Sequence, residues 1–242
     1  MKPIKLFSAW FGGKPPWWGR YVDQMAALKT VDWEHVPPLS TGEDMFEHVR
    51  WFNRLGTARL GTPCNKWGNG QGVPIHGMCD FRPTYGELFA DRIAGHDWWG
   101  WIDLDMALGR FDEIVAELLT DDVDVLTFKP EHLSGCLSLF RNHPEVNGAF
   151  RRGPWRKILA DPDYHIWDES GKDKGLGPNV HFRRYLRDAG LRIAERYDLY
   201  SYTTQIQDDY SATQKLEMID GRLMADGFEV LFCHFMDDKW PL

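Results

Sequence analysis

The sequence predicts an α/β domain, a largely parallel sheet flanked by helices and followed by a β-rich C-terminal part. Three observations carry that reading. Apolar strand-like runs alternate with helical stripes through most of the first 140 residues. The run Trp98–Leu104 is almost continuously apolar, as in a strand buried on both faces of a sheet. Asp220-Gly221 lies between short alternating segments, a strong hairpin signal. A length of 242 residues without repeat, low-complexity tract or linker fits one domain over 1–242.

The first strand is read over Ile4–Trp10 and ends at Phe11-Gly12-Gly13. Pro15-Pro16 then opens a helix whose apolar positions Trp17, Trp18, Tyr21, Val22, Met25 and Leu28 keep helical spacing. Val31–Val36 is a short strand stopped by Pro37-Pro38. Ser40 with Glu43 has the spacing of a capping box before the stripe Phe46, Val49, Phe52 and Leu55. Gly56–Pro74, rich in Gly, Asn and Pro, reads as a long loop of the kind that carries function. Pro83 starts a helix with Tyr85, Leu88, Phe89 and Ile93 inward and Gly95 as its stop. After the strand Trp98–Leu104 comes a helix on Phe111, Ile114, Val115, Leu118 and Leu119, with Asp112 and Glu113 in its positive first turn. Val123–Phe128 and Cys136–Phe140 follow as strands. The last third carries a helix over Asn179–Ala189, the hairpin strands from Leu216–Ile219 and from Arg222 onward, and a strand Phe228–Phe232 that runs into His234.

Composition narrows the function. With 43% hydrophobic and 14% aromatic residues the chain is not disordered. A net charge of -8 argues against a nucleic-acid partner, which needs a Lys/Arg excess. No apolar run approaches the ~20 residues of a membrane span, and no signal sequence is read at Met1-Lys2-Pro3. Cys64, Cys79, Cys136 and Cys233 are scattered without a Cys-x-x-Cys pair, so they read as reduced thiols of a cytoplasmic protein. Twelve tryptophans nudge the expectation toward a flat, ring-shaped ligand. Gly-x-Ser-x-Gly, Gly-x-Gly-x-x-Gly and His-Glu-x-x-His are all absent.

The chemistry concentrates in a few places. Asp103-Leu104-Asp105 ends the most apolar strand, at the sheet edge where open α/β sheets bind ligands. Two carboxylates there suit one hard divalent cation; the alternative is a solvated pair in a turn. His234 at a strand end is a second metal-ligand candidate, with Lys239 five residues on able to neutralise phosphate charge; the alternative is a surface histidine near a frayed tail. In Trp167-Asp168-Glu169 an aromatic ring beside acids fits an acceptor site, where the ring stacks on a sugar and an acid deprotonates its hydroxyl; solvated loop acids are the alternative. The stretch Ser170–Gly177 lacks a Walker pattern and reads as a mobile loop or lid.

These motifs resemble GT-A-fold (Rossmann-like) glycosyltransferases. Asp103-Leu104-Asp105 resembles their Asp-x-Asp element, and His234-Phe235 with Lys239-Trp240 is similar to the His-Phe…Lys-Pro-Trp tail of the glycogenin and lipopolysaccharide galactosyltransferase group, here shorter by one residue and reading Lys-Trp-Pro. Closer still is an uncharacterised bacterial glycosyltransferase-like family with Cys-Asp-Phe-Lys-Pro-x-Tyr-Gly, Trp-Gly-x-x-Asp-x-Asp and Ser-Gly-His-x-x-Leu-Phe-Arg-Asn. Here these read Cys79–Gly86, Trp99–Asp105 and Ser134–Asn142, with Arg82 for the usual Lys and Cys136 for the usual His.

The resemblance implies Mn²⁺ or Mg²⁺ on Asp103, Asp105 and His234. It implies nucleotide-sugar contacts from Phe11, Gly12, Asp80, Arg82, Tyr85, Asp103, Ser134, Gly135 and Lys239, with Asp168 and Glu169 at the acceptor. For Asp80 and Arg82 the alternative is a structural ion pair, and for Ser134-Gly135 a plain turn. The implied activity is transfer of a sugar from a nucleotide-sugar donor to a glycan or lipid-linked glycan acceptor. The implied setting is bacterial surface polysaccharide synthesis, in the cytoplasm or peripheral to the inner membrane face. A carbohydrate-binding protein of the same fold and a metal-dependent phosphoesterase are the competing readings.

Overall fold

Residues 3–67, 76–172, 175–176, 180–203 and 215–235 are described by the computed structural model. Strand β1 (Ile4–Ala9) leads to helix α1 (Trp18–Ala27), which buries Tyr21 and Met25, and then to β2 (Val31–Val36). Helix α2 (Met45–Leu60) is capped by Asp44, whose side chain accepts from the Phe46 N–H, and closes on a left-handed Gly61. This corrects two expectations. Ser40 lies in a separate 3₁₀ turn, Leu39–Thr41, and Asp44 is the carboxylate that meets the free amides of the helix start. The helix also runs past Gly56, so only the later part of Gly56–Pro74 is irregular, and 68–75 lie outside the described residues.

A 3₁₀ segment, His76–Thr84, contains Pro83 and hands over to a short α3 (Tyr85–Leu88), so Pro83 precedes rather than opens the helix. The stripe Tyr85, Leu88, Phe89 and Ile93 is buried, as its spacing predicts. Then come β3 (Trp98–Ile102), β4 (Met106–Leu108), α4 (Phe111–Leu118), β5 (Val125–Thr127) and β6 (Leu137–Arg141). Helices α5 (Pro144–Asn147) and α6 (Trp155–Ala160) carry no sequence signal strong enough to predict them. Helix α7 (Phe182–Asp188) is a shortened form of the helix expected over 179–189. Strands β7 (Ile193–Glu195), β8 (Tyr200–Thr203), β9 (Leu216–Ile219), β10 (Arg222–Ala225), β11 (Phe228–Glu229) and β12 (Phe232–Phe235) complete the described part.

The main sheet has the order β2-β1-β3-β6-β5-β7, and within it only β6 runs antiparallel to its neighbours. It is mostly parallel and flanked by helices, with a β-rich C-terminal part, as the sequence predicts. Strand β3 is buried on both faces. Trp99 and Trp101 join the core cluster that includes α2 and α7 side chains, while Trp98 and Ile102 join the cluster on the α1 and α4 side. Gly100 between them faces β6 so closely that an added Cβ would stand 2.3 Å from the Ser138 carbonyl oxygen. Gly100→Ala should therefore destabilise by about 1–3 kcal/mol, at the upper end because backbone must move. Urea denaturation reads it.

The C-terminal part differs from the single strand expected over Phe228–Phe232. Asp220 (φ 49°) and Gly221 (φ 77°) make the expected hairpin turn between β9 and β10. A second such turn, Asp226 (φ 48°) and Gly227 (φ 88°), joins β10 to β11. The chain then leaves that sheet, and β12 pairs instead with β4 and β8. No described helix is long and apolar enough to cross a membrane.

Candidate metal centre and its surroundings

Three separated stretches meet at the C-terminal edge of β3. The Asp103 amide donates to the Cys136 carbonyl at 2.9 Å, so the chain stays tied to β6 one residue past the strand. Leu104 turns inward and is buried, and its carbonyl accepts from the Trp17 indole at 3.0 Å. Alternation then leaves Asp103 and Asp105 on one side of the turn. The chain continues as β4, which pairs antiparallel with β12 so that Met106 stands opposite His234. The Phe235 amide donates to the Asp105 carbonyl at 2.8 Å and extends that ladder.

The result is a compact donor set. His234 Nε2 lies 3.2 Å from Asp105 Oδ1 and 3.9 Å from Asp103 Oδ2. One ligand atom from each residue falls within 4.8 Å of the others, the only such group of His, Cys, Asp and Glu among the described residues. Two carboxylates and an imidazole fit a divalent cation. The oxygens suit Mg²⁺ or Mn²⁺, and the nitrogen shifts the preference toward Mn²⁺. Burial pushes the Asp103 carboxyl up, Arg82 opposes this, and neighbouring Asp105 adds to it. Burial alone would lower His234, but Cys136 and Asp105 beside the ring outweigh it and raise it to about 11.

Arg82, at the end of the 3₁₀ segment, is the hub behind the centre. Its Nη2 donates to Asp103 Oδ1, while its Nη1 donates to Asp168 Oδ2 at 3.0 Å and to the Gly135 carbonyl. The Tyr164 hydroxyl donates to the other Asp168 oxygen at 3.3 Å. Arg82 thus holds one oxygen of Asp103 and leaves the other toward His234. Its fork is occupied by protein, which favours the structural ion-pair alternative. Asp168 is fully buried, and burial pushes its carboxyl up against the pull of Arg82. It anchors the hub and presents no face to an acceptor. Trp167 beside it is also fully buried, packed edge-on against Phe150 and Phe182, so it cannot stack on a sugar.

The other expected contacts divide in the same way. Asp80 is buried, ion-paired to the buried Lys66 at 2.7 Å, and accepts from the His165 and Trp167 amides at 2.9 and 3.0 Å. It fastens the 165–167 stretch and does not face a ligand. Its partner Lys66 escaped the sequence reading, because a lysine in a Gly/Asn-rich stretch carries no sign of burial. Tyr85 is core, within 4.9 Å of Phe89 and 5.8 Å of Phe7 between ring centres. Phe11 is buried against Phe52. Ser134 is buried too, bonded to Thr127, Trp101 and Ser138. Gly12 and Gly135 stay at the edge: the Gly12 amide donates to His48 Nδ1 at 3.2 Å, and a Cβ on Gly135 would overlap the Glu169 carboxylate. Glu169 is partly exposed and 3.5 Å from Lys129 Nζ. Lys239 and Trp240 lie outside the described residues.

Comparison with solved structures finds a glycosyltransferase involved in the glycosylation of the major capsid of PBCV-1, at a TM-score of 0.46 and 11% identity over 96% of this chain and 93% of that chain. It also finds mouse xyloside xylosyltransferase 1 in its apo form, at a TM-score of 0.43 and 10% identity over 100% of this chain and 99% of that chain. Among curated proteins none matches. The model of a family of unknown function (DUF6625) matches residues 75–238, which spans the Arg82 hub, the Asp-x-Asp turn and His234, and the chain belongs to that family.

Proposed function

We propose that the protein is a metal-dependent glycosyltransferase, moving a sugar from a nucleotide-sugar donor to a glycan or lipid-linked glycan acceptor within one domain over 1–242, with surface polysaccharide synthesis in a bacterial cytoplasm as its setting. The observation that carries this reading is the meeting of Asp103, Asp105 and His234 at a sheet edge. A cation held there would supply charge neutralisation for a departing diphosphate. The chain's own residues do the positioning. Arg82 orients Asp103, and β4 with β12 fixes His234 against Asp105. Glu169, against Gly135 and partly exposed, replaces Asp168 as the carboxylate able to meet an acceptor hydroxyl.

The carbohydrate-binding alternative loses support. Trp17, Trp98, Trp99, Trp101, Trp155 and Trp167 are buried, and among the described tryptophans only Trp67 is strongly exposed. Thermal shift with Mn²⁺ and a panel of nucleoside diphosphates tests the reading, since a ligand at a hundred times its dissociation constant stabilises by about 2.7 kcal/mol. Nucleotide-sugar turnover with product analysis separates transfer from phosphoester hydrolysis.

Metal affinity should also depend on pH. The raised His234 ring carries a proton in the metal-free protein, and ligation requires its loss. Affinity should thus climb as pH rises toward that value and weaken on acidification, by up to about tenfold per unit for one released proton. Calorimetry in buffers of different ionisation enthalpy reads both the affinity and the proton count.

A further inference from the structure

A second polar site lies on the same sheet edge. Trp101, Ser138, Thr127 and Glu195 form one row across β3, β6, β5 and β7, so Glu195 lies three strand spacings, roughly 14 Å, from the strand that ends in Asp103. Beyond it opens a cleft of about 530 Å³ between α7, the end of β7 and the loop after β5. Its lining includes His181, Arg183, Arg184, Arg187, Glu131 and Glu195.

Arg183 is the unusual member. Its side chain is 1% exposed, and Nη2 pairs with Glu195. Its Nε and Nη1 have no hydrogen-bond partner, and neither does the buried Nδ1 of His181. Buried guanidinium donors left unmet are costly, because the group has lost water and gained nothing in exchange. Burial and the nearby Arg187 lower the Arg183 pKa, which has the same cause.

The carboxylates do not meet that need. Glu195 is shared between Arg183 and Arg187, the latter at 3.7 Å. Asp188 pairs with Arg184 at 3.6 Å, and the charge of Glu131 opposes the lowering of the Arg183 pKa without occupying Nε or Nη1. Arg183 Nε and Nη1 are donors, His181 Nδ1 is one in the tautomer that carries its proton there, and a planar or tetrahedral oxyanion matches them.

We propose that this cleft is an oxyanion site, centred on Arg183 and His181, that takes the phosphate or carboxylate group of an acidic acceptor. That role rests on the transferase reading; the anion site itself does not. Guanidinium and carboxylate groups are balanced in the cleft, so recognition comes from the buried donors and not from long-range attraction. Binding should accordingly depend only weakly on salt.

The test is calorimetric titration of the full chain with glucose 6-phosphate, glucuronate and glucose. One of the two anions should bind, glucose should not, and the anion that binds identifies the group. Arg183→Gln should weaken that anion by about tenfold or more, the worth of one charge-assisted bond. Should Arg183→Gln fail to fold, His181→Gln and the exposed-site variant Arg187→Gln carry the test through smaller losses. Binding of neither anion by the wild type overturns the proposal. So does binding that none of the variants weakens, or glucose binding as tightly as the anion that binds. Mn²⁺-dependent nucleoside diphosphate binding, measured on the same samples, should be unchanged by Arg183→Gln. Its absence from the wild type together with Arg183-dependent anion binding would reject transfer and keep the anion site.

Discussion

Lys66→Met is expected to cost about 3–5 kcal/mol of folding free energy. Lys66 and Asp80 are both fully buried, 2.7 Å apart, and neither side chain reaches water. The ammonium also donates to the Ile158 and Asp163 carbonyls, and Asp80 accepts from two backbone amides. Removing the cation leaves a carboxylate buried without its counter-charge. The stretch that loosens, 163–169, holds Asp168 and therefore Arg82, so damage should spread to the metal centre. Urea denaturation reads the loss, and a change below about 1 kcal/mol would mean that Asp80 has other support. Lys66→Met combined with Asp80→Leu should recover part of it, because a buried pair replaced whole by apolar groups is often neutral.

Asp105→Asn should nearly abolish cation-dependent nucleotide binding and leave the fold intact. An asparagine keeps the size of the side chain and removes the charge that a divalent cation requires. Even outer-shell partners of a metal are worth about 10–100-fold in affinity, so a direct ligand should be worth at least that. Asp103→Asn should lose less, because its Oδ1 is engaged by Arg82 and only Oδ2 faces His234. Equal unfolding midpoints of wild type and variants would show that the losses are local. Equal metal affinity in Asp105→Asn would remove Asp105 from the centre.

What the sequence makes legible follows the strength of local patterning. Trp98–Leu104 reads as a doubly buried strand because nothing polar interrupts it before Asp103, and that position places Asp103 at a sheet edge. The hairpin at Asp220-Gly221 is legible because that dipeptide tolerates positive φ at both positions. Asp226-Gly227 carries the same signal six residues on, and the run after it divides into two strands in different sheets. The hub around Arg82 is illegible for another reason. Asp80, Asp168 and Lys66 are charged residues whose sequence neighbours give no sign of burial, and only tertiary packing buries them. A motif shows that Asp80 and Arg82 belong together but not that one turns to Lys66 and the other to Asp103 and Asp168. Trp167 is misread likewise, since an indole beside two acids has the same sequence signature in a core as in a sugar site.

Asp103, Asp105 and His234 are proposed to act together as one cation site serving a nucleotide. This is tested most directly by calorimetric titration of a nucleoside diphosphate panel into wild type, Asp105→Asn and His234→Ala, each with Mn²⁺ and with chelator. The wild type is expected to bind only when Mn²⁺ is present, with a large loss in both variants. Binding of equal strength with chelator, or no binding of any nucleoside diphosphate at saturating Mn²⁺, would contradict it.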